Sequence, residues 1–232
     1  MSLFARGFAV CVLAPAVLSA LASPAFAGEP SDTIFVDGFD GAQPSISTYD
    51  DLTEGFLGTA YDYNDVSYHD VNGIGGVFPD GSTFTPEDVG DQLIIEDSLD
   101  FYTSFPDWGS SPNTMTFGSA FIPGDNLSLG ALVQVTMDLA TPASSATVDL
   151  GFYENGPWGG IELHLDALDG GTVVASDSLT LADGGGRDNV NVATFTVSAA
   201  TFDQLRLYAT YDDQPSAPRV IIDDLVLIPA SP

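Results

Sequence analysis

Five stretches in the second half of the chain alternate apolar and polar residues with a period of two, and no helical period is sustained anywhere. Val133, Val135, Met137 and Leu139 share one side of their stretch, against Gln134, Thr136 and Asp138 on the other. Thr147 to Tyr153 does the same with Val148, Leu150 and Phe152, and Ala193 to Val197 with Ala193, Phe195 and Val197. Ile161, Leu163 and Leu165 oppose Glu162, His164 and Asp166, while Leu205, Leu207 and Ala209 oppose Arg206, Tyr208 and Thr210. This is the pattern of half-buried strands with one wet face. Asp169-Gly170-Gly171 is a hairpin turn between two of them, and Asp183-Gly184-Gly185-Gly186 and Asp212-Asp213-Gln214-Pro215 mark looser connections. Strands spaced by such turns, with no helix between them, predict an all-β antiparallel sandwich. In the less regular first half, Thr33 to Phe39, Gln92 to Glu96 and Thr114 to Phe117 are strand candidates, and Tyr61 to Gly76 and Phe105 to Asn113 read as loops.

Met1 to Ala27 reads as a secretory leader, with Arg6 as its charged start, Phe8 to Leu21 as its apolar stretch and Ala25-Phe26-Ala27 as a small-x-small cleavage site. The apolar run is too short to span a bilayer, and the mature chain offers no other candidate membrane anchor. The expected location is extracellular, or periplasmic. Residues 28–45 are expected to form a short arm, and residues 46–229 one sandwich domain. The sole cysteine, Cys11, lies in the leader, so disulfides and thiolate metal sites are not expected.

The chain carries 33 Asp or Glu against 4 Lys or Arg, a formal charge of −29. Nucleic acid and anionic surfaces are poor partners for such a chain, because they require clustered cations. The same imbalance sharpens the reading of the last strand. Along Ile221 to Ile228, Ile221, Asp223, Leu225 and Leu227 share one face, and Ile222, Asp224, Val226 and Ile228 share the other. Whichever face meets the core, a carboxylate is in line with it. A buried unpaired carboxylate costs several kcal/mol. A bound cation would offset that cost, and hard oxygen ligands suit calcium. The alternative is that these carboxylates cap turns or accept backbone N–H bonds at a strand end.

Tyr49-Asp50-Asp51-Leu52, Ser111-Pro112-Asn113 leading into Thr114 to Phe117, Ala167 to Val174, and Ile221 to Leu227 together carry a resemblance. Over residues 46–229 the chain resembles the jelly-roll sandwiches of secreted bacterial proteins. These include galactose-binding-like carbohydrate modules and extracellular proteins that often end in a sorting tail, which this sequence lacks. The resemblance implies a jelly-roll fold with its first and last strands side by side, bringing Asp50 and Asp51 near Asp223 and Asp224. It also implies a structural calcium there, held by acids of both strands and by backbone carbonyls. Asp32 to Asp40 resembles a short segment of various secreted bacterial proteins and receives no role.

Trp108 and Trp158 sit in Gly/Pro-rich stretches, the latter just after Tyr153. Trp108, Trp158 and Tyr153 are the candidates for stacking on sugar rings; the competing reading makes each Trp a lid on the core. Glu162, His164 and Asp166 are a candidate carboxylate–histidine set for catalysis whose spacing simple alternation accounts for, and His69 beside Tyr68 is a weaker acid/base candidate. The expectation is a non-catalytic exported sandwich that binds a neutral glycan or a cell-surface or matrix component, with calcium as a structural ion. A purely structural acidic protein and a glycan-active hydrolase are the alternatives.

Overall fold

The computed structural model describes residues 43–71, 76–77, 83–84, 93–97, 103–117, 134–153, 160–181, 190–212, 214–215 and 220–231. All fall within one of the two units into which the chain divides, Phe39–Pro232. The leader, the Asp32 to Asp40 segment, Trp158 and most of the expected arm lie outside the described residues. The strands are β1 (Ser45–Ser47), β2 (Gly55–Gly58), β3 (Tyr61–Tyr63), β4 (Val66–His69), β5 (Gly76–Val77), β6 (Thr83–Phe84) and β7 (Leu93–Asp97). They continue as β8 (Asn113–Phe117), β9 (Gln134–Tyr153), β10 (Ile161–Asp169), β11 (Thr172–Thr180), β12 (Val190–Tyr211), β13 (Gln214–Pro215) and β14 (Val220–Pro229). Every pairing among them is antiparallel. Among the described residues, no helix is long and apolar enough to cross a membrane.

The fold is the expected antiparallel sandwich of jelly-roll kind, and its two long strands explain how. β9 and β12 pair with each other along most of their length and each serves both layers. In the first layer, β3, β4, the first half of β9, the second half of β12, β10 and β11 follow one another. In the second, the first half of β12 and the second half of β9 are followed by β14, β8, β7 and β2. β1 lies on β14 beyond β8, pairing Ser45 with Leu227 and Ser47 with Leu225, so the first and last described strands of the main sheet are neighbours.

A strand bent between two layers keeps its concave side on the core, and an inserted residue at the bend switches which alternate positions are buried. In β9 the buried positions are Val135, Met137 and Leu139 before the bend, then Ala146, Val148, Leu150 and Phe152 after it. In β12 they run Phe195 and Val197, then Phe202, then Leu205, Leu207 and Ala209. The ladder shifts register between Ser198 and Phe202 and again before Gln204. Extra residues at these bulges reset the alternation at the corner. Pro142 lies in the bend of β9, and its carbonyl accepts the Ala230 N–H at 2.9 Å. From sequence the two halves of each strand read as separate strands, because the small residues around Pro142 and Ala199 resemble connections.

Two further readings change. Tyr61 to His69 is not a loop but the β3–β4 hairpin, turned by Asn64 and Asp65, which both take positive φ (47° and 65°) as a two-residue turn requires. Tyr68 is therefore a core residue, its hydroxyl 2.8 Å from that of Tyr49. The expected Asp169-Gly170-Gly171 hairpin forms, with φ of 54° and 80° at the two glycines. β14 also departs from strict alternation. A bulge between Asp223 and Val226, with Asp224 at φ 41°, places Val220, Ile222, Leu225 and Leu227 in the core. Asp65 is the more strained hairpin residue, so Asp65→Gly is expected to stabilise the protein by about 0.5–1 kcal/mol in a denaturant titration.

Candidate functional site

Two regions hold the polar side chains of interest. The first is the junction of β1, β14 and residues 103–112. Asp223 lies on the outer side by alternation with core Ile222, and the bulge that follows keeps Asp224 out of the core as well. Asp223 shares the outer face with Ile221, yet it is completely buried, because residues 105–110 cover it. Its carboxylate accepts the Ser110 N–H at 2.7 Å and the Asp224 N–H at 2.8 Å, with the Ser110 hydroxyl at 3.4 Å. These N–H donors stabilise the carboxylate where it is buried. Gly109, at φ 58°, passes directly over the carboxylate, and a Cβ there would overlap Asp223 Oδ2.

The other three expected ligands are placed as follows. Tyr49 to Leu52 forms a turn closed by Leu52 N–H to the Tyr49 carbonyl at 3.0 Å. Asp50 Oδ1 accepts the Asn113 N–H at 3.0 Å, and Asn113 Nδ2 donates to the Leu52 carbonyl at 2.9 Å, tying the turn to β8. Asp51 turns the other way and accepts the Tyr63 hydroxyl at 2.6 Å. That contact and burial push the Tyr63 phenol up to about 12, burial being the larger cause. Asp224 stands near Asp50 and Asp149. Its carboxyl is raised above the usual carboxylate range by desolvation first, with the charges of Asp149 and Asp50 adding and a bond from Ser110 opposing. Among the described residues, no three His, Cys, Asp or Glu side chains form a group able to hold a metal ion. The structure therefore brings Asp50, Asp223 and Asp224 to one junction, directs Asp51 elsewhere, and supplies no ready-made cage.

Trp108 is buried against Ile221, with Phe105 and Val192 packed alongside, so it is a lid on the outer face of the second layer rather than an exposed stacking surface. Tyr153 closes β9, and its side chain lies outside what is described, as does Trp158.

The second region is the outer face of the first layer, where the register aligns polar side chains into rows. One row runs Ser176, Asp166, Arg206, Thr136 and His69 across β11, β10, β12, β9 and β4. At about 4.8 Å per strand it is roughly 19 Å long. The next row is Ser178, His164, Tyr208 and Gln134. A third places Gln204 beside Asp138 and Ser67. His164 stacks on Tyr208 with ring centroids 4.7 Å apart and planes at 15°, and the Arg206 guanidinium carbon lies 5.0 Å from the Tyr208 ring centroid. Asp166, only 6% exposed, accepts Arg206 Nη2 at 2.8 Å and the Ser176 hydroxyl at 2.7 Å. Burial, reinforced by Asp166 and opposed by Arg206, raises the Tyr208 phenol above its ordinary value. Gln204 Nε2 donates to Asp138 Oδ1 at 2.7 Å, and His69 Nε2 lies 2.9 Å from Asp138 Oδ2. Beside the β3–β4 hairpin the face meets an open groove of about 420 Å³ with Asp62, Asp65 and Asp138 on its walls.

Sequence reasoning saw Glu162, His164 and Asp166 on this face but not the rest of the platform. The alternation of Arg206, Tyr208 and Thr210 was visible; the pairing that sets them beside β10 was not. Arg206 is the one Arg among the described residues, and both histidines of the chain share its face.

No family model and no curated protein matches this chain. Among solved structures, the K2 cleaved adhesin domain of Lys-gingipain is similar at 14% identity, with 81% of this chain and 98% of that one covered and a TM-score of 0.41. The K1 adhesin domain of Lys-gingipain from Porphyromonas gingivalis W83 is similar at 9% identity, covering 82% and 100%, with a TM-score of 0.41. A CBM61 domain, TmCBM61, in complex with β-1,4-galactotriose is similar at 10% identity, covering 59% and 81%, with a TM-score of 0.31.

Gly109 supplies the sharpest check on the junction. Gly109→Ala combines a left-handed φ with overlap on a buried carboxylate, and is expected to lower unfolding free energy by at least about 2 kcal/mol. The denaturant midpoint measures this.

Proposed function

We propose that this chain is an exported, non-catalytic sandwich that binds a neutral glycan on the outer face of its first layer. The observation that carries the reading is the stacked block of His164, Tyr208 and Arg206, set among hydroxyl, amide and carboxylate groups on five adjacent strands. Ligand sites for uncharged polar molecules combine an apolar or aromatic surface with a few fixed donors and acceptors. Here Arg206 and Gln204 donate, Asp166, Asp138 and Glu162 accept, and hydroxyls of Ser176, Thr180 and Thr210 do either. The acids on this face disfavour a uronate or sulfated sugar by like-charge repulsion, which leaves neutral chains as the fitting class. Binding is read on an array of neutral polysaccharides and confirmed by calorimetry. Tyr208→Ala is expected to weaken a positive hit at least tenfold, about 1.4 kcal/mol, without lowering the melting temperature much. Unaltered affinity in that variant, or no glycan bound at all, would sink the reading.

Calcium enters the same proposal at Asp50, Asp149 and Asp224, and the glycan site does not depend on it. Its support is the convergence of Asp50 and Asp149 on Asp224, whose carboxyl is raised first by desolvation and then by their two charges. These side chains form no cage as they stand, so an ion would have to draw them together with water or carbonyl ligands. A group whose folded pKa is raised adds stability at low pH and loses it as pH rises through that pKa. Asp224→Asn, in a residue type that tolerates left-handed φ, is therefore expected to raise the melting temperature at neutral pH without calcium. The two proteins should converge at pH well below the ordinary Asp value of 3.8. Calcium should then stabilise the unmodified protein by mass action and the variant little, with magnesium ineffective on both.

A further inference from the structure

We propose that His69 is a proton-dependent clasp between β4 and β9 at the margin of the platform. Its two ring nitrogens face two different carboxylates: Nε2 lies 2.9 Å from Asp138 Oδ2, and Nδ1 lies 3.1 Å from Asp70 Oδ2. A neutral imidazole has one N–H and one lone pair. Only the doubly protonated ring donates to both acids. With one proton gone, the bare nitrogen confronts a carboxylate lone pair to lone pair, and one of the two acids must be released. Asp138 is also held by Gln204 of β12, so releasing it alters a platform acceptor as well as the tie between strands.

The charged surroundings are acidic from both neighbouring strands. Asp70 follows His69 just past the end of β4, and Asp62 of β3 stands opposite Ser67. Tyr61 and Tyr63 lie on that same strand. β9 contributes Asp138, with uncharged Thr136 opposite His69 and Gln134 beyond it. One strand farther, Arg206 lies across from Thr136, with Tyr208 and Gln204 on either side. Among the described residues Arg206 pairs with Asp166, and His69 is the basic side chain beside Asp70 and Asp138. The sign follows from the count of N–H groups. The doubly protonated ring donates to both carboxylates and the singly protonated ring to one, so the clasp is tighter on the acid side.

The clasp is independent of the glycan reading, and its test uses no ligand. Amide hydrogen exchange of β4, expressed as protection factors, is compared in the full chain at about pH 5 and about pH 8, on either side of the ordinary histidine range. Protection is expected to fall about two- to five-fold at the higher pH, the scale an exposed ion pair commands. The fall should be absent in His69→Gln and reduced in both Asp70→Asn and Asp138→Asn. An equal fall in His69→Gln, or unchanged protection in the unmodified chain, would overturn the proposal. So would a ring nitrogen spectrum showing one N–H on His69 at about pH 5.

Discussion

A strand bent between two layers keeps its concave side on the core, so each residue inserted at the corner switches which alternate positions are buried. β9 makes one such switch, from odd positions before the corner to even ones after it, whereas β12 switches at Phe202 and back again, burying odd positions in both halves. Keeping the register of the first half of β9 through the second would turn Ala146, Val148, Leu150 and Phe152 outward. At roughly 1.5–3 kcal/mol for each large side chain, that loss exceeds the cost of the one or two ladder bonds that a bulge gives up, near 1 kcal/mol each. The register shifts between Ser198 and Gln204 lie at the corner of β9 and β12, and the bulge between Asp223 and Val226 makes a separate switch within β14 of the second layer. They decide which polar residues face outward, and so they place both the acidic junction and the platform.

An acidic chain with few cations needs other ways to satisfy its carboxylates. The structure uses N–H and O–H donors throughout. Asp149 accepts the Thr194 hydroxyl at 2.6 Å, and Asp177 on β11 accepts the Thr196 N–H of β12 at 2.9 Å, joining the two layers at one side. Asp203 accepts the Gly170 N–H at 3.2 Å and anchors the β10–β11 turn. Asp50, Asp51 and Asp223 do the same for residues 49–52, β3 and residues 105–110. Aspartate is suited to the task because its short side chain competes well for nearby backbone donors. Part of the acidity is therefore structural.

The alternation of Ile161 to Asp166 and Leu205 to Thr210 made the fold class legible, and Asp169-Gly170-Gly171 made one hairpin so. The apolar run of Ile221 to Leu227 marked an anomalous strand, and Asp223 is indeed buried. What alternation cannot show is where it breaks. Asp224 in a left-handed conformation shifts the face by one residue, and nothing about an Asp-Asp pair announces this. Trp108 was ambiguous because burial depends on what lies beneath a loop, here Ile221 on the outer side of β14. The platform was least legible. Its rows join β4, β9, β10, β11 and β12, so that His69 and Arg206 of one row stand far apart along the chain, and strand order is a property of the whole fold.

The platform differs from an ordinary wet sheet face in one physical respect. Its polar side chains are already ordered by one another. Asp166 points outward but is covered, and such a carboxylate is tolerable only because Ser176 and Arg206 both reach it. Arg206 in turn lies against Tyr208, and Tyr208 against His164, whose Nε2 lies 3.0 Å from the Thr210 hydroxyl. Long side chains on a solvated face usually sample several rotamers, and a ligand that fixes them meets that entropy. Here the folding of the chain has met it beforehand. A preordered polar surface gains more from each ligand contact than a mobile one, and that is the physical ground of the binding proposed for this face.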